Sequence, residues 1–144
     1  MKLISIDPGK FKSGLVLVDI EKQIVDQAIV LKTEFIPKFL KTLKSVENIS
    51  KIIIGNGTTS RELKEKLDFL KKEIITFEEK NTTFRAKTRY FELFPISGLK
   101  SLLPREIFIL NKNLDAISAL IILEDYCKMK FTLNQNVDVK TWQK

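Results

Sequence analysis

The sequence predicts a mixed α/β fold, in which a five-stranded sheet is flanked by helices. The first 31 residues contain three short apolar runs separated by brief turns, a pattern that favours an antiparallel meander. After residue 33 the apolar residues recur at helical spacing, and helical stretches then alternate with two further apolar runs. Because crossover connections are right-handed, we expect the fourth and fifth strands to lie parallel to the first.

The five strands are predicted at residues 3–6, 14–18, 23–31, 51–54 and 73–77. The first ends in Asp7-Pro8-Gly9, which is a turn signal. The third alternates apolar and polar side chains, as expected of a strand with one buried face. The fourth is continuously apolar, which is typical of a buried parallel strand.

Helices are predicted at residues 34–46, 60–70, 82–94 and 114–127, where apolar residues recur every three or four positions. Residues 96–113 are predicted to form a surface loop that is longer than most connections, and such loops often carry function. The length suits one domain, assigned to residues 1–128. The tail at residues 129–144 is predicted to be a short strand or irregular chain.

The composition limits the chemistry. The net charge of +7 and the pI near 9.5 favour an anionic partner such as nucleic acid. The absence of histidine excludes Ser-His and Cys-His nucleophilic systems and histidine-bound metals. The single cysteine, Cys127, excludes an internal disulfide and a thiolate zinc site. A metal ion would therefore be bound by oxygen ligands, which favours Mg²⁺ or Mn²⁺.

The apolar segments are too short for targeting or membrane insertion. Residues 3–6 are shorter than the core of a signal peptide, and residues 116–123 fall well short of a membrane span. We therefore expect a cytoplasmic protein that does not bind membranes.

Acidic residues fall at the ends of three predicted elements. Asp7 follows the first strand, and Asp115 lies in the first turn of the last helix. Glu78 and Glu79 follow the fifth strand. The carboxyl ends of strands one, four and five share one edge of the sheet, where open α/β sheets bind ligands. Carboxylates that converge at such an edge hold two metal ions about 4 Å apart for phosphodiester cleavage.

Each acid also has a structural interpretation. Asp7 suits a turn, and Asp115 is favoured by the helix dipole. Glu78 and Glu79 suit solvated positions at a strand end. From spacing alone, both interpretations stay open.

Two further stretches have binding interpretations. Residues 55–59, at a strand–helix junction, are suited either to present backbone N–H groups to a phosphate or to form a glycine turn with a helix cap. Between residues 80 and 105, six basic residues are opposed only by Glu92. They are Lys80, Arg85, Lys87, Arg89, Lys100 and Arg105. Such a run tracks a phosphate backbone or forms a solvated helix face.

Three motifs, in order, resemble those of the YqgF family of RuvC-like nucleases. Residues 6–14 resemble its opening Ile-Asp-Pro-Gly-x-x-x-x-Gly, and residues 77–86 resemble its Asp-Glu-Arg-x-Ser/Thr-Thr-x-x-Ala. Residues 115–123, followed by Tyr126, resemble its Asp-x-x-Ala-Ala before an apolar helix. Residues 55–60, 86–90 and 95–99 match further motifs of a shorter branch. The resemblance covers nearly the whole chain up to about residue 128.

This resemblance implies a ribonuclease H-like fold and a metal-dependent endonuclease. Family members are described as Holliday junction resolvases or as nucleases that trim precursor 16S ribosomal RNA. The motifs assign catalysis and metal binding to Asp7, Glu79 and Asp115, with Mg²⁺ or Mn²⁺ as the cofactor. Glu78 stands where the family usually has Asp, so its own contribution stays open.

Binding of the nucleic acid is assigned to four basic residues, Lys12, Lys80, Arg85 and Arg89. Lys80 stands where the family usually has Arg. Lys12 lies close to the position at which many members carry an Arg, and a lysine cannot reproduce the bidentate grip of arginine on a phosphate.

Two other functions are alternatives. A non-catalytic nucleic-acid-binding module would keep the fold without turnover, although the presence of all three acids argues against this. A sugar-kinase or actin-like ATPase also begins with an Asp-x-Gly turn, but needs two such domains around its nucleotide. The sequence leaves open whether the partner is structured RNA or branched DNA. It also leaves open whether the protein is a monomer or a homodimer, and residues 96–113 are a candidate interface.

Overall fold

The computed structural model of the chain describes residues 1–109 and 114–137. A six-stranded sheet runs in the order β5-β4-β1-β2-β3-β6. The strands are β1 (Lys2–Asp7), β2 (Lys12–Asp19), β3 (Ile24–Lys32), β4 (Ile49–Gly55), β5 (Glu73–Phe77) and β6 (Thr132–Leu133). The helices are α1 (Ile36–Thr42), α2 (Ser60–Leu67), α3 (Thr82–Leu93), α4 (Glu106–Ile109) and α5 (Asp115–Cys127).

The strand directions agree with the prediction. β2 is antiparallel to β1 and β3, whereas β4 is parallel to β1 and β5 is parallel to β4. The predicted ribonuclease H-like arrangement, three antiparallel strands followed by two parallel ones with helices around them, is therefore confirmed. The predicted strand count of five is one too few. β6 was not separable in the sequence because it has only two residues, which pair with Ile24 and Val25 of β3 and show no periodicity.

Alternate residues of the strands enter two apolar clusters, one on each face of the sheet. Val16 and Val18 of β2 pack in the cluster that contains α3 and α5. Leu15 and Leu17 pack in the cluster that contains α1 and α2. Because α5 is buried on all sides from residue 116 to 124, it is the central helix of the first face.

Two predicted segments differ in the structure. The first helix ends at Thr42 instead of residue 46, because Leu43 adopts an extended backbone with ψ 114°. Leu43 still packs on the cluster beside α1, which explains why its spacing looked helical. The stretch predicted as the loop 96–113 contains a 3-10 turn at Gly98–Leu102 and the short α4. Its last part, residues 110–113, lies outside the described residues.

The chain after α5 returns to the domain. Phe131 is only 1% exposed and belongs to the cluster around α5, and β6 then joins the sheet. Residues 138–144 of the tail lie outside the described residues. Within residues 1–109 and 114–137, no helix has the length and apolar character needed to cross a membrane.

Candidate metal centre

The first two carboxylates are brought together by a glycine. Asp7 is the last residue of β1 and pairs with Gly14 of β2. Gly14 lies directly against the main chain of Asp115, so that a Cβ at residue 14 would overlap the Asp115 carbonyl group. The first turn of α5 therefore rests on the strand next to Asp7. Since Asp7 and Gly14 are cross-strand partners, the carboxyl groups of Asp7 and Asp115 belong to one site.

The third carboxylate reaches the site from β5. This strand pairs with β4 as far as Phe77 and Gly55, and Glu79 follows two residues later. A Cβ at Gly55 would lie 3.6 Å from the carboxyl carbon of Glu79 and 3.5 Å from Cδ of Pro8. The backbone of Gly55 therefore lies between Glu79 and the turn after Asp7, and both are close to it. Glu78, by contrast, is exposed.

Electrostatics show how closely the three acids interact. The pKa of Asp7 is raised from 3.8 to about 7, first by burial and then by the negative charges of Glu79 and Asp115. Burial also raises the pKa of Glu79, while a hydrogen bond from the Thr82 side chain lowers it. Such mutual repulsion is costly unless a cation or a proton compensates it.

The donor set fits a hard divalent cation in charge and in chemistry. One carboxylate oxygen of Glu79, Oε2, is buried and has no hydrogen-bond partner among the described residues, which is uncommon for a charged oxygen. The available ligands are carboxylate oxygens, which Mg²⁺ and Mn²⁺ accept. Among the described residues, no group of three acidic or cysteine side chains is already close enough together to coordinate one metal ion. The three carboxylates fit the ion in charge and donor chemistry, although they do not already form a closed ligand set.

The turn after Asp7 is fixed by two hydroxyl residues. The Gly9 N–H donates to Ser13 Oγ at 3.3 Å, and Thr33 Oγ1 donates to the Gly9 carbonyl at 2.7 Å. The two hydroxyls lie 2.8 Å apart. A Cβ at Gly9 would overlap the Lys12 carbonyl, so the turn depends on a glycine there. These bonds hold the end of β1 in place.

The glycine-containing loop at residues 55–59 contacts the turn after Asp7. Three backbone N–H groups, those of Asn56, Gly57 and Ser60, already donate to backbone carbonyls. Thr59 lies at the N-cap of α2 without capping it, and its hydroxyl donates to the Pro8 carbonyl at 3.2 Å. The helix-cap interpretation does not describe this loop, because the Thr59 hydroxyl bonds the turn after Asp7 and not the helix. The phosphate interpretation stays a prediction.

The basic residues predicted to bind nucleic acid divide into two groups. Lys12 and Lys80 are exposed near the carboxylates. Arg85 is partly exposed and forms two hydrogen bonds with Asp125, at 2.6 and 2.7 Å. The positive charge of Arg85 lowers the pKa of Glu79, and the negative charge of Asp125 raises it. The Arg85–Asp125 ion pair is therefore close to Glu79.

Arg89, also predicted to bind nucleic acid, has a structural role. Arg89 is 8% exposed, and its guanidinium bonds both oxygens of buried Glu124, at 2.6 and 3.1 Å. It also donates to the Phe131 carbonyl at 2.7 Å and to Glu92. With four of its donors engaged, the side chain fastens α3 to α5 and to the chain that follows α5. Contact between Arg89 and a phosphate would require some of these bonds to be given up.

Sequence reasoning missed Thr82 and Asp125. Thr82 hydrogen-bonds Glu79 from the first turn of α3, and its place in the second motif was a usable signal. Asp125 holds Arg85 from α5, 40 positions along the chain. No local pattern reveals that contact, because it depends on how α3 packs on α5.

Comparisons with known proteins find similarity among solved structures. No protein-family model matches the sequence, and no curated protein matches it either. The solved structure of T. thermophilus RuvC in complex with a Holliday junction substrate is similar, with a TM-score of 0.47 and 12% sequence identity. The alignment covers 89% of this chain and 95% of that chain. The family suggested by the motifs stays a prediction.

Proposed function

We propose that this protein is a metal-dependent endonuclease that hydrolyses phosphodiester bonds in nucleic acid. The observation that carries the proposal is the meeting of Asp7, Glu79 and Asp115, whose combined charge and burial raise the pKa of Asp7 to about 7. A purely structural cluster would be expected to pair such charges internally. Here a buried oxygen of Glu79 has no partner among the described residues.

The residues divide the work between them. Asp7, Glu79 and Asp115 would hold Mg²⁺ or Mn²⁺, with Asp7 interacting with both of the other acids. When bound, such ions activate water and stabilise the leaving oxygen of a phosphodiester. Asp7 would have to lose its proton to hold the ion, so occupancy would depend on pH. Thr82 orients Glu79 through its hydrogen bond.

The surrounding charge suits a polyanionic substrate. The chain carries a net charge of +7, and Lys12 and Lys80 are exposed beside the site. Arg85, held in position by Asp125, adds a third cation at the edge of the carboxylates. Basic side chains around an acidic metal site position the phosphate backbone and leave the acids to the cation.

The substrate proposed from the motifs is structured RNA, such as precursor 16S ribosomal RNA, or branched DNA, such as a Holliday junction. The nuclease unit proposed from the sequence is residues 1–128, which contain all three acids. Phe131 and β6 extend its core and its sheet beyond that boundary. A cytoplasmic protein that works as a monomer or a homodimer is consistent with this proposal.

The test is a cleavage assay in Mg²⁺ and in Mn²⁺, with precursor ribosomal RNA and a four-way DNA junction as substrates. Asp7→Asn is expected to abolish cleavage while circular dichroism shows an unchanged fold. Equal cleavage by the two proteins would refute the proposal. Salt-sensitive binding without cleavage, in either metal and on both substrates, would identify a non-catalytic binding module instead.

A further inference from the structure

Two lysines face each other at the end of the β2–β3 pair. Lys12 and Lys32 are direct cross-strand partners, and both are exposed. Like charges directly opposite in an antiparallel pair are destabilising. Within the described part of the chain, neither lysine forms an ion pair with a carboxylate. An anion bound between Lys12 and Lys32 would therefore reduce the repulsion between them.

The lysine pair lies on the face of the sheet that carries the acids. Residues two apart on a strand share a face, and Gly14 meets the main chain of Asp115 on the α5 face. Lys12 lies one such step beyond Gly14, and Lys32 lies one step beyond Val30, which packs in the cluster around α5. Since Gly14 also pairs with Asp7, Lys12 lies two residues along β2 from the partner of Asp7.

An exposed aromatic residue lies next to Lys12 in the chain, and Lys10 Nζ lies 5.4 Å from its ring centroid. Phe11 precedes Lys12 and is 76% exposed, which is unusual for so large an apolar side chain. Its backbone is held, because its carbonyl accepts the N–H of Thr33 at 3.0 Å. Phe35 is also exposed, and Lys32 Nζ lies 5.8 Å from its ring centroid. Exposed aromatic side chains on a fixed backbone and near cations are suited to stack on nucleic-acid bases.

We infer that Phe11, Lys12, Lys32 and Phe35, here called the aromatic–lysine surface, bind an unpaired nucleic-acid strand next to the carboxylates. The lysines contact phosphates while Phe11 stacks on a base. A base within a duplex has its faces covered by its neighbours, so the surface selects substrates with unpaired nucleotides at the cleavage position. This inference rests on the proposed function and specifies its substrate class.

The neighbouring acid lies on the opposite side of the strand end. Glu34 lies between Thr33 and Phe35, and it lines a separate groove with Glu62 and Lys66 of α2. It therefore faces the α2 side of the sheet, away from the lysine pair on the α5 face. The charge of the aromatic–lysine surface is positive as a result.

Binding is measured by fluorescence anisotropy in EDTA, with a labelled single-stranded oligonucleotide and a duplex of the same length, each as DNA and as RNA. Phe11→Ala is expected to weaken single-strand binding by about 5-fold to 100-fold, as loss of one stacked base does, and to leave duplex binding nearly unchanged. The double variant Lys12→Met with Lys32→Met is expected to lower the salt slope for single strands by about 1.4, for two lost phosphate contacts. Comparing the DNA and RNA arms shows which sugar the surface accepts.

Two matched controls are available on distant surfaces. Phe69 is partly exposed on the α2 side and also has a lysine, Lys41, 4.5 Å from its ring centroid. Lys22 is exposed at the opposite end of the β2–β3 hairpin. Phe69→Ala and Lys22→Met are expected to bind as the unmodified protein does.

The inference is overturned if Phe11→Ala binds single strands as Phe69→Ala does, or if it loses duplex binding equally. It is also overturned if the double lysine variant keeps the salt slope of Lys22→Met. Cleavage in Mn²⁺ is measured in parallel. Strand binding through Phe11 without cleavage in any metal refutes the proposed function and leaves this inference standing. If the protein cleaves and Phe11→Ala changes neither cleavage nor single-strand binding, this inference is refuted and the proposed function stands.

Discussion

Gly14 and the main chain of Asp115 are in direct contact, and this contact sets the position of α5 on the sheet. A Cβ at residue 14 would overlap the carbonyl group of Asp115 and approach the N atom of Ala116 at 2.5 Å. Both obstacles are backbone atoms, which cannot rotate away as the end of a flexible side chain can. The glycine at the third position of β2 is therefore required for the acids to meet.

Gly14→Ala is expected to lower the free energy of unfolding by at least about 2 kcal/mol, since overpacking of a buried contact forces the backbone to shift. The cleavage rate is also expected to fall in the variant that is still folded, because the backbone shift moves Asp115 away from Asp7. Urea unfolding and the Mn²⁺ cleavage assay measure the two effects. Gly57→Ala is the control, because its nearest obstacle is the Pro8 carbonyl oxygen at 3.3 Å. Equal behaviour of the two variants would contradict this account.

Glu79 and Glu78 are adjacent in sequence but differ in their surroundings. Glu79 has a buried oxygen and interacts with Asp7, whereas Glu78 is exposed. Glu79→Gln is expected to lower the cleavage rate by more than about 100-fold, since even residues behind metal ligands commonly contribute 10- to 100-fold. Glu78→Gln is expected to change it little. Comparable losses in both variants would show that the second motif contributes both acids.

The strands were predictable because their burial follows the apolar pattern closely. β4 is buried from Ile52 to Gly55, and this continuous run was visible in the sequence. The end of α1 was not, because Leu43 packs on the core from an extended backbone and its apolar character fits both conformations. β6 escaped because two residues carry no period.

The acids and the basic residues were predictable to different degrees. Asp7 and Glu79 follow strands whose ends meet for topological reasons, so placing the strands placed these acids. The structural role of Arg89 was not predicted, because a run of charge does not show which member faces a neighbouring helix. One signal was present: Ala86, Arg89 and Tyr90 lie at the spacing of one helix face, and all three are buried.

The stability of the metal-free protein is expected to depend on pH through Asp7. Its pKa is about 7 in the folded protein, against 3.8 as its ordinary value. The folded state binds this proton more tightly, so the stability contributed by the protonated carboxyl is complete below pH 3.8 and is lost as the pH rises through about 7. The full difference corresponds to about 4 kcal/mol.

Asp7→Asn removes this dependence. In EDTA, its advantage in free energy of unfolding over the unmodified protein should grow from near zero at pH 4 towards about 4 kcal/mol above pH 7. Urea unfolding across this range measures the difference, and Asp68→Asn, which changes an exposed aspartate, is the control. Saturating Mn²⁺ should stabilise the unmodified protein and reduce the gap. A gap that does not change with pH would contradict the assigned surroundings of Asp7.

Arg89 is expected to act on stability and not on substrate binding. Arg89→Met leaves the buried carboxylate of Glu124 with Lys130 as its remaining cation, at 3.1 Å, and should cost about 3 to 5 kcal/mol. Arg89→Met combined with Glu124→Leu should recover much of this loss, because no buried charge is then left uncompensated. The salt slope of nucleic-acid binding, measured at a temperature where the variants are folded, should equal that of the unmodified protein. A slope reduced by about 0.7 to 0.9 would show that Arg89 contacts a phosphate after all.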